Sequence, residues 1–290
     1  MNAEPAPITR PALRWFGGKW RLAPWIVTHL PPHDAYCEPY GGAASVLLRK
    51  PSAKLETWND LHGRLVNFFT VLRSRPDELV RALELTPYAR AEYEQAREVD
   101  TDPLEDARRF YVLSNQGRAG AAGAAERGRV QGWRYVIDQA ARHGSPPYCE
   151  AADLSHLHAI AARLRLVQVE HDDALAVLCR YDAPGVLHYV DPPYWDPGAD
   201  FHSRYAHPMI TEAEHRTLAE TLHARRGMIV LSGRPSDLYA DLYDARGWRR
   251  VERQSLTDAG RLGTEVLWFS PAAAAAAARA RQLTFAEVTG

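Results

Sequence analysis

The chain alternates short apolar runs with amphipathic segments of helical period. Each apolar run ends in polar, glycine or proline residues, as the strands of a buried parallel sheet do. Two further runs, 248–254 and 264–269, are predicted to form an antiparallel hairpin at the sheet edge. Because strands and helices alternate, the pattern predicts a doubly wound α/β fold. The predicted parallel strands span residues 34–38, 54–58, 166–169, 186–190 and 228–232.

The strand pattern stops between about 75 and 150, where helices are predicted from Pro76, over 90–99 and over 103–115. A segment rich in glycine, alanine and arginine follows at 116–129. We therefore expect a catalytic domain that is interrupted by a mainly helical insert. The expected limits are 1–74 for the first part of the catalytic domain, 75–150 for the insert, 151–271 for the second part and 272–290 for an alanine-rich helical tail.

Polar side chains lie at two predicted helix starts, and one of them has two possible roles. Thr211 and Glu214 form a capping box, which is a structural role. Asp60 precedes a helix predicted over 61–72, with Leu61 among its inward-facing residues, so its carboxylate suits an N-cap. Asp60 also follows the second strand at the spacing at which acidic residues accept hydrogen bonds from a ribose. Both roles stay open here.

Composition narrows the class of protein. The formal net charge of −1 excludes a uniformly basic nucleic-acid binder, so any such surface must be a local patch. The 3 cysteines form no Cys-x-x-Cys pair and suggest neither a disulfide framework nor a zinc site. Neither a signal peptide nor a membrane span is expected, and a cytoplasmic location follows. The 12 histidines are scattered and are each expected to be surface or capping residues.

The most informative stretch is Asp191-Pro192-Pro193-Tyr194, which ends the strand at 186–190. Two prolines cannot extend a sheet ladder, so Asp191 and Tyr194 project from the carboxyl edge, where α/β folds bind ligands. The Asp191 carboxylate and the Pro192 carbonyl can accept hydrogen bonds from an amino group, while Tyr194 offers a face for a base to stack on. The alternative is an ordinary proline turn after a strand.

A glycine turn follows the first strand, and a second glycine pair lies near the N-terminus. Such a turn before a helix can cradle a nucleotide with its amide hydrogens, although glycine turns are common. Taken by themselves, Arg14 to Lys19 favour an ordinary surface turn before the helix at 22–30 over a ligand-binding turn. The first turn comprises Glu38, Pro39, Tyr40, Gly41, Gly42 and then Ala43, Ala44 and Ser45.

These three motifs, in this order, resemble those of the Dam-like DNA adenine methyltransferases, notably the branch common in phages and prophages. The resemblance implies a Rossmann-like sheet that binds S-adenosylmethionine, with Asp191 near both donor and target base. It places an aspartate after the third strand against the donor's adenine, and Asp173 matches that position best. Donor-binding roles are implied for Trp15, Gly17, Gly18, Lys19, Glu38, Pro39, Tyr40, Gly41, Gly42, Asp60, Asp173 and Asp191.

Four positions depart from the family pattern. Tyr40 stands where the family usually has phenylalanine, Ala44 where it has the last glycine, Ala174 where a phenylalanine usually follows the aspartate, and Arg234 where an aromatic residue is expected after the fifth strand. The family places target recognition between its second and third donor motifs, where the helical insert falls. Basic and aromatic residues there and in the loop after Tyr194 suit phosphate contact and base stacking. The expected DNA-binding residues are Arg118, Arg127, Arg129, Arg134, Arg204 and Tyr205.

The expected function is methyl transfer from S-adenosylmethionine to the exocyclic amino nitrogen of a flipped-out adenine in double-stranded DNA, without a metal. Asp191, Pro192, Pro193 and Tyr194 are the expected catalytic residues. Alternatives are an amino-methyltransferase of cytosine or RNA, and an inactive DNA-binding regulator on the same fold. A monomer or weak dimer is expected, and a cognate restriction endonuclease is a candidate partner.

Overall fold

The computed structural model describes residues 7–118, 132–135, 153–197, 205–256 and 262–289. The chain divides into two compact units. The helical unit comprises Met1–Gly18, His62–Leu166 and Ser203–His207, and the sheet unit comprises Lys19–Leu61, Val167–His202 and Pro208–Gly290. The helical unit therefore takes in more of the chain than the insert expected at 75–150.

The sheet unit is built on one seven-stranded sheet, within the residues described, in the order β3-β2-β1-β4-β5-β7-β6. The first five strands are parallel, and β7 pairs antiparallel with both β5 and β6. The predicted doubly wound sheet and its edge hairpin are thus confirmed. The strands are β1 Ala35–Glu38, β2 Leu55–Asn59, β3 Val167–Glu170, β4 Val186–Val190, β5 Met228–Gly233, β6 Arg249–Leu256 and β7 Leu262–Phe269.

Helices of the sheet unit pack against the sheet; all helices are numbered in chain order over both units. The core between the sheet and three of these helices is aromatic and aliphatic, with Trp268, Ile229 and Tyr239 almost completely buried. Thr211 and Glu214 form the predicted capping box. The helices of the sheet unit are α1 Ala23–His29, α2 Ser45–Arg49, α8 Ala174–Arg180, α9 Glu212–His223, α10 Asp237–Leu242 and α11 Pro271–Thr289. In the described part of the chain, no helix is both long and apolar enough to cross a membrane.

The helical unit contains the helices expected after Arg75 and two more that flank them in sequence. Asp102 caps α6 by accepting a hydrogen bond from the Leu104 amide. A buried ion pair of 2.9 Å joins Arg64 on α3 to Asp106 on α6. The helices are α3 Gly63–Ser74, α4 Pro76–Glu84, α5 Arg90–Gln95, α6 Pro103–Gln116 and α7 Ser155–Leu164.

One helix start differs from its prediction. Helix α3 begins at Gly63, and its N-cap position is His62 rather than Asp60. Leu61 precedes the helix and is 44% exposed, so its assignment to the core was wrong. The reason is that the Asp60 carboxylate accepts a hydrogen bond from the Gly42 amide and is therefore turned toward the first strand's loop.

The expectation that every histidine is a surface or capping residue was also wrong. His62, His156, His188 and His215 are all at least 95% buried. His215 is held by the Tyr239 hydroxyl at 3.0 Å, so a buried aromatic partner replaces water. Burial lowers the pKa of His188 to about 4, and that ring is neutral at physiological pH.

Candidate active site

The motif after β4 places its acidic and aromatic side chains at the carboxyl edge of the sheet. Strand β4 is buried along Leu187–Val190, and Pro192 and Pro193 are buried directly after it. The Asp191 Oδ1 atom lies 2.9 Å from the Lys19 Nζ atom, although the two residues are far apart in sequence. The structure therefore brings together one predicted donor-binding residue and the first residue of the predicted catalytic motif.

Lys19 is a nearly buried cation between two carboxylates. Its Nζ atom lies 3.8 Å from Glu265 Oε1 and 4.7 Å from the centre of the Tyr194 ring. Burial raises the pKa of Asp191, and the charge of Lys19 opposes that rise. The ion pair with Lys19 favours the anionic form of this carboxylate, which is the form that suits an acceptor for amino hydrogens.

Tyr194 is anchored through its hydroxyl group. It lies 2.9 Å from Ser232 Oγ on β5 and donates to Glu265 Oε1 on β7. Ser232 donates to the same Glu265 oxygen at 3.1 Å. Burial and the nearby carboxylates raise the pKa of Tyr194 well above its usual value, so the phenol stays a protonated donor.

Glu265 is a buried carboxylate at this site that sequence reasoning missed. It is 6% exposed and lies on β7, which was assigned only as an edge strand. The available signal was a carboxylate directly before the fully buried run Val266–Phe269, because carboxylates are rarely buried unless they are paired. Its partners come from other strands, so the sequence could not identify them.

The glycine turn after β1 is locked against β2. The Gly41 amide donates to the Asn59 carbonyl at 2.8 Å, and the Gly42 amide donates to Asp60 Oδ2 at 2.8 Å. A Cβ atom at Gly41 would lie 2.0 Å from the Trp58 indole nitrogen, which leaves room only for glycine. The structure thus brings the glycine turn and Asp60 together, as their predicted roles require.

The side chain of Asn59, the last residue of β2, links two loops at this edge. Its side-chain nitrogen donates to the Pro39 carbonyl at 2.8 Å and to the Asp172 carbonyl at 3.0 Å. Its side-chain oxygen accepts from the Asp172 amide at 2.9 Å. The residue is completely buried, so these hydrogen bonds are not exchanged with water. The loops after β1 and β3 are consequently held at fixed positions around the end of β2.

Two of the positions that depart from the family pattern, Ala44 and Arg234, lie close to the predicted site motifs. Ala44 adopts a left-handed conformation, with φ 55° and ψ 30°, and is completely buried. Its backbone therefore has the form that a glycine would adopt most easily. The Arg234 guanidinium lies 5.9 Å from the centre of the Tyr194 ring, so this position carries a cation beside the catalytic motif.

Three further predicted donor-binding residues lie within the glycine turn or after β3. Glu38 is buried and accepts a hydrogen bond of 2.6 Å from the Tyr36 hydroxyl. Burial raises the pKa of Glu38 to about 8, an effect that the hydrogen bond from Tyr36 opposes. Tyr40 packs against the core cluster beside Trp195. Asp173 is exposed and caps α8 by accepting from the Leu175 and Ala176 amides, at 2.9 and 3.2 Å.

Trp15, Gly17 and Gly18 belong to the helical unit. The Trp15 ring lies edge-on to His62, with centroids 5.7 Å apart. Gly17 has φ 74°, and a Cβ there would lie 2.8 Å from the Tyr205 hydroxyl. The Gly18 amide donates to the Trp15 carbonyl at 3.2 Å, which closes the turn.

An arginine–aromatic cluster lies in the helical unit. We use this name for Tyr88, Arg90, Arg118, Trp133 and Tyr135. The Trp133 and Tyr135 rings stack with centroids 6.2 Å apart, and Arg90 lies 5.1 Å from the Trp133 ring centre. Arg118 lies 5.4 Å from the Tyr135 ring centre, and Tyr135 is 43% exposed.

Of the expected DNA-binding residues, Arg118, Arg134 and Tyr205 are described and lie in the helical unit. The Arg134 amide donates to the Gln116 carbonyl at 2.8 Å, which pairs this segment with the end of α6. Arg127, Arg129 and Arg204 lie outside the described residues.

The fold and the site together define a Rossmann-like methyltransferase. The features that do so are the parallel sheet with its antiparallel edge hairpin, the locked glycine turn and the Asp-Pro-Pro-Tyr motif after β4. The chain belongs to the D12 class N6 adenine-specific DNA methyltransferase family, whose model matches residues 15–256. It is therefore an enzyme that methylates adenine in DNA and uses a methyl donor. The family assigns the reaction to adenine in DNA rather than to cytosine or RNA.

Curated relatives agree with this family. The chain is 28% identical over 265 residues to the DNA adenine methylase of Salmonella typhi, an alignment that covers 87% of this chain and 90% of the relative. The same identity and shares apply to the DNA adenine methylase of Escherichia coli strain K12. The DNA adenine methylase of Serratia marcescens is 30% identical over 107 residues, 37% of this chain and 34% of the relative.

Proposed function

We propose that the methyl donor is S-adenosylmethionine and that the acceptor is the amino nitrogen of an adenine flipped out of double-stranded DNA. The observation that carries this proposal is the group formed by Lys19, Asp191 and Tyr194 at the end of β4. That group pairs a buried acceptor with an aromatic ring, which are the two features that an extruded amino-bearing base needs.

The residues of the sheet unit fit the donor. Glu38 is a buried carboxyl whose ionisation burial disfavours, so a cationic ligand beside it would favour the ionised form. Gly41 and Gly42 present backbone without side chains, and Asp60 holds the turn from β2. When bound, the donor supplies an electrophilic methyl group on a sulfonium. Donor-binding roles are also proposed for Lys19, Pro39, Tyr40 and Asp173 of this unit. The same role is proposed from the sequence for Trp15, Gly17 and Gly18.

The catalytic motif acts by positioning. Asp191 and the Pro192 carbonyl accept the two amino hydrogens, which directs the nitrogen's electron pair toward the methyl group. Pro193 restricts the turn that aims that carbonyl. Tyr194, anchored by Glu265 and Ser232, supplies an apolar ring that excludes water from the base. The anionic Asp191 also stabilises the positive charge that develops on the nitrogen.

The test compares Asp191→Ala with wild type in a tritium-transfer assay on unmethylated DNA, followed by nucleoside chromatography. We expect label in N6-methyladenine for wild type and loss of turnover for the variant, with donor binding retained in calorimetry. Asp241→Ala, which removes an exposed carboxylate from the same unit, is the matched control. Turnover of Asp191→Ala within about tenfold of wild type would refute the assignment.

The helical unit is proposed to grip DNA. This proposal keeps 75–150 as the recognition insert, between the catalytic parts 1–74 and 151–271, and is supported by the arginine–aromatic cluster. Exposed arginines next to a stacked pair of rings suit phosphate contact and stacking on bases. Arg118, Arg134 and Tyr205 are proposed contacts, together with Arg127, Arg129 and Arg204 from outside the described residues.

The experiment for this surface is the salt dependence of DNA binding. Loss of one phosphate contact in Arg118→Ala should reduce the slope of log affinity against log salt by about 1. Arg81→Ala removes an exposed arginine from the same unit and serves as the control. Equal slopes for the two variants would place the DNA surface elsewhere.

We further propose a cytoplasmic protein that is a monomer or weak dimer, with a cognate restriction endonuclease as a candidate partner. Sedimentation of the purified chain tests the oligomeric state. A stable dimer, which would contradict the proposal, would sediment with the mass of two chains at all concentrations. Protection of methylated DNA from endonucleases that recognise the same site tests the candidate partner.

A further inference from the structure

Glu265 holds three side chains of the catalytic site from a strand that none of them occupies. Its Oε1 atom accepts from the Tyr194 hydroxyl and from Ser232 Oγ, and lies 3.8 Å from Lys19 Nζ. The Glu265 side chain is 8% exposed, so its carboxylate contacts these three side chains rather than bulk water. The carboxylate is thus a junction between β4, β5, β7 and the segment before α1.

Lys19 and the target amino group would compete for the Asp191 carboxylate during the reaction. Its Nζ atom is 2.9 Å from Asp191 Oδ1, and Asp191 is the proposed acceptor for the target amino group. A lysine that stays on that oxygen competes with the substrate, while a buried cation that leaves it needs another anion. Glu265 is that second anion, and a movement of about 1 Å would bring Lys19 within charge-assisted hydrogen-bonding distance of it.

Glu265 also fixes the orientation of Tyr194. The hydrogen bonds of the tyrosine hydroxyl to Glu265 and to Ser232 anchor the far end of the ring. Without them, the ring would keep its packing, its contact with Asp191 and its cationic neighbours, Lys19 and Arg234. A ring that must receive a flipped base is more effective when its position is set beforehand.

We propose that Glu265 is a positioning residue for methyl transfer, which receives Lys19 when the target amino group occupies Asp191 and which holds the Tyr194 ring in place. This inference rests on the proposed roles of Asp191 and Tyr194. It assigns Glu265 no contact with the base or the donor, and its effect passes through Lys19 and Tyr194.

The pH dependence gives a readout that a merely structural residue would not affect. The negative charge of Glu265 raises the pKa of Asp191, while Lys19 lowers it. Removal of that charge lowers the pKa of Asp191, and a Lys19 that then pairs with Asp191 alone acts in the same direction. The acid limb of kcat/KM should therefore move to lower pH. The titratable and charged groups around Asp191 and Glu265 are Lys19, Glu38, Tyr189, Tyr194, Arg234 and Tyr239.

The experiment measures kcat, KM for S-adenosylmethionine and the pH profile of Glu265→Gln, which keeps an acceptor but removes the charge. We expect kcat to fall by about 10- to 100-fold, with KM for the donor changed by less than about threefold. The acid limb should shift down by roughly one pH unit. Glu252→Gln makes the same change on the neighbouring strand β6, at a side chain that is 47% exposed, and should match wild type.

Glu265→Asp keeps the charge on a shorter side chain and covers the case in which the glutamine variant does not fold. We expect its acid limb to match wild type and its kcat to lie between wild type and Glu265→Gln. An unshifted acid limb in Glu265→Gln, or a displaced one in Glu265→Asp, would overturn the inference. Asp191→Ala separates the two proposals, because an active Asp191→Ala refutes the catalytic site, whereas a wild-type-like Glu265→Gln refutes only the role of Glu265.

Discussion

Asn59 offers a sharp test of how the donor edge of the sheet is held. In Asn59→Ala, the Pro39 carbonyl and the Asp172 amide and carbonyl lose their hydrogen-bond partner, a side chain that is itself fully buried. Each hydrogen bond contributes about 1 kcal/mol net, so the loss is about 3 kcal/mol before any cavity is counted. For a chain of this size, that corresponds to a fall in Tm of about 6–12 °C.

Asn59→Asp has nearly the same shape but should behave differently. The side-chain nitrogen that donates to two carbonyls, at 2.8 and 3.0 Å, is replaced by an oxygen that cannot donate when ionised. A buried carboxylate facing two acceptors costs several kcal/mol, so this variant should be less stable than Asn59→Ala at pH 7.5. The acid form can donate to one carbonyl, which raises the pKa of the introduced group in the folded state.

The sign of the pH effect follows from that raised pKa. Between the unfolded value of about 3.9 and the folded value, the folded protein binds more protons than the unfolded chain. The free energy of unfolding of Asn59→Asp, relative to wild type, should therefore fall with rising pH, with a slope approaching about 1.4 kcal/mol per unit.

The assay is urea denaturation at pH 4.5, 6.0 and 7.5, combined with calorimetry of S-adenosylmethionine binding. Both Asn59 variants should bind the donor more weakly, because the loops at Pro39 and Asp172 lose their common anchor. Gln168→Glu makes the same chemical change at an exposed position on β3 and should show little pH dependence. The reasoning would be refuted by an Asn59→Asp variant that is more stable than Asn59→Ala at pH 7.5.

Three further predictions concern the sheet unit. Gly41→Ala should reduce both Tm and donor affinity, because its Cβ would lie 2.0 Å from the Trp58 indole nitrogen; calorimetry with and without donor measures both, and unchanged donor affinity would contradict a role for this turn. Glu38 has a raised pKa of about 8, so it makes stability fall as pH rises from about 4.5 to 8. Glu38→Gln should flatten that part of the urea-denaturation profile, and an unaltered slope would argue against a buried, titrating Glu38. Lys50 and Glu56 form a buried ion pair of 2.7 Å, so Glu56→Leu alone should cost about 3–5 kcal/mol in the free energy of unfolding, whereas Lys50→Met with Glu56→Leu should cost much less. Equal losses in the single and double variants would show that the buried charge of Lys50 is not the cause.

The order of elements was predictable because it depends on local chemistry. Period-two and short apolar runs specify β1 to β7 to within two residues, and the two prolines after Val190 end β4 where the motif begins. The capping box at Thr211 is likewise a local interaction between neighbouring residues. Asp191 and the glycine turn could therefore be assigned to the carboxyl edge before any coordinates were known.

What only the tertiary structure decided are the partners of these local features. Strand β7 pairs with β5, and this pairing, between segments distant in sequence, carries Glu265 to the Tyr194 hydroxyl. The Asp60 carboxylate accepts a hydrogen bond from the Gly42 amide, and the Asn59 side chain links the loops after β1 and β3 to the end of β2. Burial of polar side chains is stable only when partners from other elements satisfy them, and no local pattern records which partners those are. The sequence by itself therefore determined the fold class, the family motifs and the strand end that carries the proposed catalytic residues. The contacts that orient those residues exist only once the sheet is assembled.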